Sequence, residues 1–169
     1  GLKDYRVYRD AVLLATVTGT TYNDTTVAPS TQYSYQISAR DNANNESSRS
    51  TALPVTTPAD TTAPSVPTGL TTTSIQSTTV ALAWNAATDT GGSGLKDYRV
   101  YRDNTLLATV TGTTYSDTTV APSTQYSYQV SARDNADNES SRSTALPVAT
   151  PADTAAPSVP TGITTTSIQ

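Results

Sequence analysis

Hydrophobic and polar residues alternate along several short stretches of the chain, which is the pattern of half-buried β-strands. In residues 94–103, Tyr98 and Val100 fall on one side of the alternation and Arg99 falls on the other. No stretch repeats its hydrophobic residues at the 3.6-residue period of an amphipathic helix. Short strands separated by turn-forming residues predict an all-β chain built from antiparallel β-sandwiches.

The alternation predicts seven strands between residues 68 and 150. In chain order, they are expected at about residues 68–75, 78–84, 96–102, 105–110, 113–118, 124–133 and 143–150. Pro147 indicates that the last of them lies at an edge, because proline cannot donate to a hydrogen-bond ladder. The side chains expected in the buried core are Trp84, Tyr98, Val100, Tyr126, Tyr128 and Val130.

The chain repeats its own sequence with a period of 93 residues, which is the size of a small domain and not of a solenoid turn. Residues 1–76 align with residues 94–169 with eight differences. We therefore expect the chain to be part of a longer tandem array. Its parts are a partial module at residues 1–59, a complete module at residues 60–152, and a linker with the first strand of a following module at residues 153–169.

The partial module lacks the two strands that residues 68–84 supply to the complete one. Its inner face, which carries Tyr5, Val7 and Ile37, is therefore expected to be uncovered. Residues 57–67 hold three prolines in eleven residues, which favours an extended, semi-rigid spacer between modules.

Composition excludes several classes of function. The chain has no cysteine and no histidine, which excludes Cys/His zinc sites, disulfides, thiol nucleophiles and a Ser–His–Asp triad. A net charge of −4 with both signs mixed argues against nucleic acid and anionic membranes as partners, and no apolar run is long enough to cross a bilayer.

Five sequence segments together resemble the fibronectin type III module of secreted bacterial polysaccharide-degrading enzymes and surface proteins. They are PSVPTGL (64–70), VALAW (80–84), LKDYRVYRD (95–103), LLATV (106–110) and VAPSTQYSYQVSARDNADNES (120–140). The resemblance implies that Trp84 fills the core and that Tyr126, with Tyr33 in the first copy, forms a tyrosine corner. It also implies an extracellular location, secreted or at the cell surface.

In a fold of this kind the start of the module and two of its loops lie at one pole. That would gather five carboxylates near the module junction: Asp60, Asp89, Asp134, Asp137 and Glu139. Carboxylate oxygens are the ligands that calcium prefers, so these residues are a candidate calcium site. The alternative is that they are solvated turn residues, since Asp and Asn bond to turn backbone. We expect no catalytic residues and no other cofactor.

Two functions fit these expectations. The first is a structural tandem repeat of an extracellular stalk, spacer or filament, without catalysis, whose partners are neighbouring repeats or other copies in head-to-tail or lateral contact. The alternative is an adhesive or carbohydrate-binding accessory module of a secreted polysaccharide-degrading enzyme. In that case Arg99 and Tyr101, on the outer face, would be candidates for stacking on sugars.

Overall fold

The structure is a computed structural model that describes residues 1–90, 92–164 and 166. Within these residues the chain forms eleven β-strands, and no described helix is long and apolar enough to cross a membrane. The strands are β1 (Leu2–Arg9), β2 (Val12–Val17), β3 (Gln32–Asp41), β4 (Leu53–Thr56), β5 (Thr68–Ile75), β6 (Val80–Asn85), β7 (Leu95–Arg102), β8 (Thr105–Val110), β9 (Thr114–Asp117), β10 (Gln125–Asp134) and β11 (Leu146–Ala149).

The strands form three sheets, with the orders β2-β1-β3-β4, β11-β10-β7-β8 and β5-β6-β9. The pairs β1–β2, β5–β6 and β7–β8 are antiparallel hairpins. This confirms the prediction of an all-β, antiparallel sandwich fold. The strands predicted from the alternation correspond to β5 through β11, with ends that differ by at most three residues.

The two copies share the geometry of their first hairpin. The turn residues Asp103 and Asn104 have φ of 50° and 66°, and their counterparts Asp10 and Ala11 have φ of 51° and 67°. Two successive residues at positive φ are the mark of the two-residue hairpin turn that matches the twist of the strands. Asn tolerates this left-handed backbone, whereas Ala11 adopts it at a steric cost.

The core of the second copy lies between β5-β6-β9 and β11-β10-β7-β8. Val80, Leu82 and Trp84 alternate inward along β6, as a strand with one buried face requires. The Trp84 ring meets the Tyr98 ring edge to face, with 5.5 Å between the ring centroids. Of the remaining expected core residues, the structure buries Val100, Tyr128 and Val130 completely.

Tyr126 differs from the expectation, because it is only half-buried. It stands at the start of β10, where its hydroxyl oxygen accepts a hydrogen bond of 2.8 Å from the backbone N–H of Ala121. The guanidinium of Arg102 covers its ring at 5.0 Å from the centroid. Tyr126 therefore ties a loop to the strand as a tyrosine corner, and Tyr33 makes the same bond to Ala28 in the first copy.

Within the sequence shared by residues 1–59 and 94–152, the strands of the two copies differ at one segment. Residues 114–117 form β9 by pairing with β6, whereas residues 21–24, which differ from them at one position, form no strand. Residues 1–65 contain no equivalent of β5 or β6. A nearly identical sequence is therefore a strand only where a partner strand completes its hydrogen bonds.

Contacts divide the chain into two compact units. The first comprises Gly1–Ser65, Ala87–Lys96 and Ala132–Ser140, and the second contains the remaining described residues. Two segments of the second copy, each a loop with the adjoining end of β7 or β10, thus belong to the first unit. The module boundaries expected at residues 59/60 and 152/153 stay a prediction.

Candidate functional site

Three of the five candidate calcium ligands lie together in the first unit. Asp60 comes from the proline-rich segment, Asp89 follows β6, and Asp134 ends β10. One carboxylate oxygen from each lies within 4.8 Å of the other two. Asp60 and Asp134 are buried, and Asp89 is half-buried.

Protein donors already point at these carboxylates. The backbone N–H groups of Thr62 and Ser93 donate to Asp60 at 3.0 and 3.2 Å, and that of Gly94 donates to Asp89 at 2.7 Å. Hydrogen bonds from Ser93 and Thr62 outweigh burial and hold the pKa of Asp60 below its usual 3.8. Such bonds are those of Asp residues that shape turns.

Asp134 is held in the same way. Its two oxygens accept 2.8 Å hydrogen bonds from the backbone N–H and the side-chain amide of Asn138. The same amide also donates to the backbone carbonyl of Asp60 at 3.2 Å. Asn138 thus fastens the loop after β10 to the proline-rich segment.

Asp137 and Glu139 lie outside the cluster, contrary to the expectation. The Asp137 side chain is 63% exposed and pairs with Lys96 at 2.7 Å and Arg133 at 3.1 Å. Glu139 stands opposite Arg133 in an isolated β-bridge. The charges of Lys96 and Arg133 attract the Asp137 carboxylate. The β-bridge to Arg133 places Glu139 beside the end of β10.

The cluster offers oxygen ligands of the type that calcium takes. Calcium requires about 6–8 oxygens at roughly 2.3–2.6 Å, and three carboxylates supply part of that shell. The hydrogen bonds to Thr62, Ser93, Gly94 and Asn138 also account for the cluster as turn structure. The candidate calcium site and its alternative, a cluster of turn residues, therefore both stay predictions.

A second constellation was not found from the sequence. Asp117, at the end of β9, is fully buried and accepts a 2.7 Å hydrogen bond from each of Arg102 and the Tyr128 hydroxyl. The backbone N–H and hydroxyl of Thr119 donate to its other oxygen at 2.9 and 2.7 Å. Every hydrogen bond aimed at this carboxylate favours its charged form.

The hydrogen bonds decide the ionisation of this constellation. Burial works to raise the pKa of Asp117, but the bonds from Thr119, Tyr128 and Arg102 outweigh it, so the pKa lies below 3.8. Burial, together with the bond to Asp117, raises the pKa of Tyr128 above its usual 10. Asp117 is thus an anion and Tyr128 a neutral donor, and the group acts as an internal lock among β7, β9 and β10.

The first copy repeats this lock around Asp24. Arg9 and the Tyr35 hydroxyl donate to it at 2.7 Å, and Thr26 donates from its backbone and its hydroxyl at 2.9 and 2.7 Å. The bonds from Tyr35 and Thr26 lower the pKa of Asp24. The sequence signal that could have pointed to the lock is Asp-x-Thr, which occurs at the same place in both copies.

Of the two side chains expected to stack on sugars, Arg99 is half-buried, and the Tyr101 ring is covered. Tyr101 is only 6% exposed, and the Arg142 guanidinium lies 3.6 Å from its ring centroid. In the first copy Arg49 covers Tyr8 in the same way at 3.7 Å. The expectation that Tyr101 is exposed is therefore wrong, because Arg142 occupies the ring face that a sugar would need.

Comparison with known proteins assigns the family. The sequence profile described as "Fibronectin type III domain" matches residues 65–148. Exoglucanase B of Cellulomonas fimi is 51% identical over 154 residues, which cover 89% of the chain and 14% of that protein. Chitinase A1 of Niallia circulans is 40% identical over 163 residues, which cover 94% of the chain and 23% of that protein.

A solved structure agrees with these matches. Chitinase ChiA74 from Bacillus thuringiensis superposes with a TM-score of 0.50 at 29% identity, covering 54% of the chain and 14% of that protein. The chain thus spans less than a quarter of the length of the relatives named above. Residues 65–148 are therefore a domain of the fibronectin type III family.

Proposed function

We propose that the chain is a non-catalytic, extracellular spacer within a polysaccharide-degrading enzyme. The observation that carries this proposal is the placement of its sequence in its relatives. An exoglucanase and a chitinase share it at 40–51% identity, yet it covers only 14–23% of their length. A segment that is a small fraction of enzymes with different named substrates is better suited to spacing than to catalysis.

The side chains favour a spacer over a sugar-binding module. Sugar sites use exposed aromatic faces, and Arg142 and Arg49 cover the rings of Tyr101 and Tyr8. Among the described residues, Tyr22 is the one aromatic side chain that is largely exposed, at 42%, and its neighbours Tyr5 and Tyr35 are half-buried. One exposed ring offers a poor platform for a polysaccharide chain.

A second candidate is a stalk or filament in which copies touch head to tail or laterally. The observation that favours it is the near-identity of the repeats, with eight differences in 76 aligned positions. Identical surfaces at a fixed period allow identical lateral contacts. Sedimentation of the chain across a wide concentration range separates the candidates, since a spacer stays monomeric and a lateral filament module self-associates.

The test of the proposed function is depletion from solution by insoluble polysaccharide. The chain is mixed with microcrystalline cellulose and with chitin, and the supernatant is assayed for protein and for released reducing sugar. The proposal expects all of the protein in the supernatant and no sugar release above a serum albumin control. Saturable retention on either polymer would instead support the carbohydrate-binding alternative.

A further inference from the structure

The proline-rich segment that joins the two copies is hydrogen-bonded to loops of the second copy. The Asp60 carbonyl accepts a 3.2 Å bond from the Asn138 side-chain amide, and the Asp60 carboxylate accepts one of 3.2 Å from the Ser93 backbone N–H. Further along the segment, the Ser65 backbone N–H donates to the Thr88 carbonyl at 2.8 Å. All of these residues belong to the first compact unit.

The same segment is anchored to the first copy immediately before Asp60. The Ser30 backbone N–H donates to the Pro58 carbonyl at 3.0 Å. Pro58 is thus bonded to the first copy and Asp60 to the second, and Ala59 alone separates the two anchors. A hinge requires a few residues that are free to change their backbone angles. A single residue between two anchors leaves little room for one.

Comparison with the second linker separates local bonds from those made by the loops. Residues 57–61 and 150–154 have the same sequence, TPADT. Asp60 and its counterpart Asp153 both accept a hydrogen bond from the backbone N–H two residues further on, at 3.0 and 2.9 Å. Asp60 is only 8% exposed, whereas Asp153 is exposed, and residues 153–169 contain no counterpart of the loops that bury Asp60. The loops, and not the prolines, therefore bury Asp60.

We propose that Asp60 is a fixed joint between successive copies, held by Asn138 and Ser93, and that these bonds rather than the prolines prevent the segment from acting as a hinge. The proposal deepens the spacer function and rests on it, because a spacer sets a distance only if its joints hold. It also replaces the sequence-based explanation, in which three prolines stiffen the segment.

The test is the distribution of distances between two spin labels in the first unit, measured in the full chain by double electron–electron resonance in EDTA. Val12→Cys in β2 and Lys96→Cys in β7 provide the label sites, because both side chains are exposed and the chain has no other cysteine. The doubly labelled chain is expected to give one narrow distribution. Asn138→Ala is expected to widen it by about 10 Å, since release of residues 59–62 frees a chain whose span is about 5–6 Å times the square root of its length.

Two control variants identify the source of the stiffness. Asn45→Ala is the matched control, because Asn45 bonds to Asp41 at 3.0 Å within its own loop, as Asn138 bonds to Asp134. Pro58→Ala removes a proline and keeps the carbonyl that anchors the segment. Both controls are expected to leave the distribution narrow. Widening by either control equal to that of Asn138→Ala would overturn the proposal.

Asp60→Ala breaks the same joint from the linker side. It lies outside the strands, so its effect does not depend on whether the loop after β10 tolerates a substitution at Asn138. Asp60→Ala is expected to widen the distribution as Asn138→Ala does. A distribution that stays narrow in both variants, or one that becomes narrow only when calcium is added, would overturn the proposal.

Hydrogen exchange at the Ser93 amide gives the second measurement. Asn138→Ala is expected to speed this exchange about threefold or more, the factor for a hydrogen bond of modest net strength, and Asn45→Ala is expected to leave it unchanged. Equal exchange in the two variants would contradict the joint. Neither measurement involves polysaccharide, so failure of the joint is distinguishable from failure of the proposed function, which depletion by cellulose and chitin tests.

Discussion

Replacing Asp117 by alanine removes the anion at the centre of the lock in the second copy. The substitution leaves the Arg102 guanidinium without its carboxylate and leaves the buried Tyr128 hydroxyl without its acceptor. Breaking a buried ion pair by removing one partner costs about 3–5 kcal/mol. That is a large share of the roughly 5–15 kcal/mol by which a domain of this size is stable.

The assay is urea unfolding followed by tryptophan fluorescence. Trp84 is the chain's single tryptophan, so the signal reports on the second copy. With a urea slope of about 1–3 kcal/mol per molar, the loss lowers the midpoint by at least about 1 M. Asp24→Ala is the matched control, because it removes the equivalent lock from the first copy, and it is expected to leave the Trp84 midpoint unchanged. Equal midpoints for both variants and the unmodified chain would refute the reasoning.

Four further predictions follow from the same contacts. Trp84→Ala should lower the free energy of unfolding by about 3–5 kcal/mol. Since each kcal/mol shifts the melting temperature of a small domain by roughly 4–8 °C, circular dichroism should record a melting temperature at least about 12 °C lower. An unchanged melting curve would place Trp84 outside the core. Ala11→Asn should stabilise the β1–β2 turn by up to about 1 kcal/mol, because Asn tolerates the left-handed backbone at φ 67°, and slower amide exchange in β1 and β2 is the readout. Acidification should destabilise the second copy as the pH falls below the unfolded-state Asp pKa of about 3.9, because hydrogen bonds hold the folded pKa of Asp117 lower still. Urea titrations at successive pH values should show that Asp117→Asn reduces this loss of unfolding free energy at low pH. EDTA should leave the melting temperature unchanged, since protein donors already bond to the cluster around Asp60, and a rise on adding calcium would instead establish a metal site.

The strands could be predicted because their alternation is local. Tyr98, Val100, Tyr128 and Val130 sit at alternate positions of their strands, and burial of one face requires no further information. Comparison of the two copies likewise predicted that Ile37 would be exposed, because residues 1–65 contain no counterpart of the β5–β6 sequence.

Features that depend on contacts between distant residues could not be predicted. Asp117 looks like a turn residue in a Thr-rich stretch, and its role requires Arg102 from β7 and Tyr128 from β10 to converge on it. The burial of Tyr101 depends on Arg142, which lies 41 positions further along the chain. Asp137 was expected in the acidic cluster, but its carboxylate forms salt bridges with Lys96 and Arg133 instead.

Residues 21–24 show most clearly that strand formation depends on a distant partner. Asn23 in place of Ser116 is the one difference from β9, so local preference is nearly constant between the two segments. Pairing with β6 decides the outcome, because backbone groups of an edge segment need a partner to form a ladder.

The central claim is that the chain acts as a folded spacer. Its most direct test is single-molecule energy transfer between two labelled protein domains that the chain joins. A Gly/Ser linker of the same 169 residues has a root-mean-square span of about 65–78 Å and a broad distribution of distances. The spacer account predicts a narrower distribution for the unmodified chain, because folded residues contribute fixed spans, and a broader one for Trp84→Ala. A distribution as broad as that of the Gly/Ser linker would contradict it.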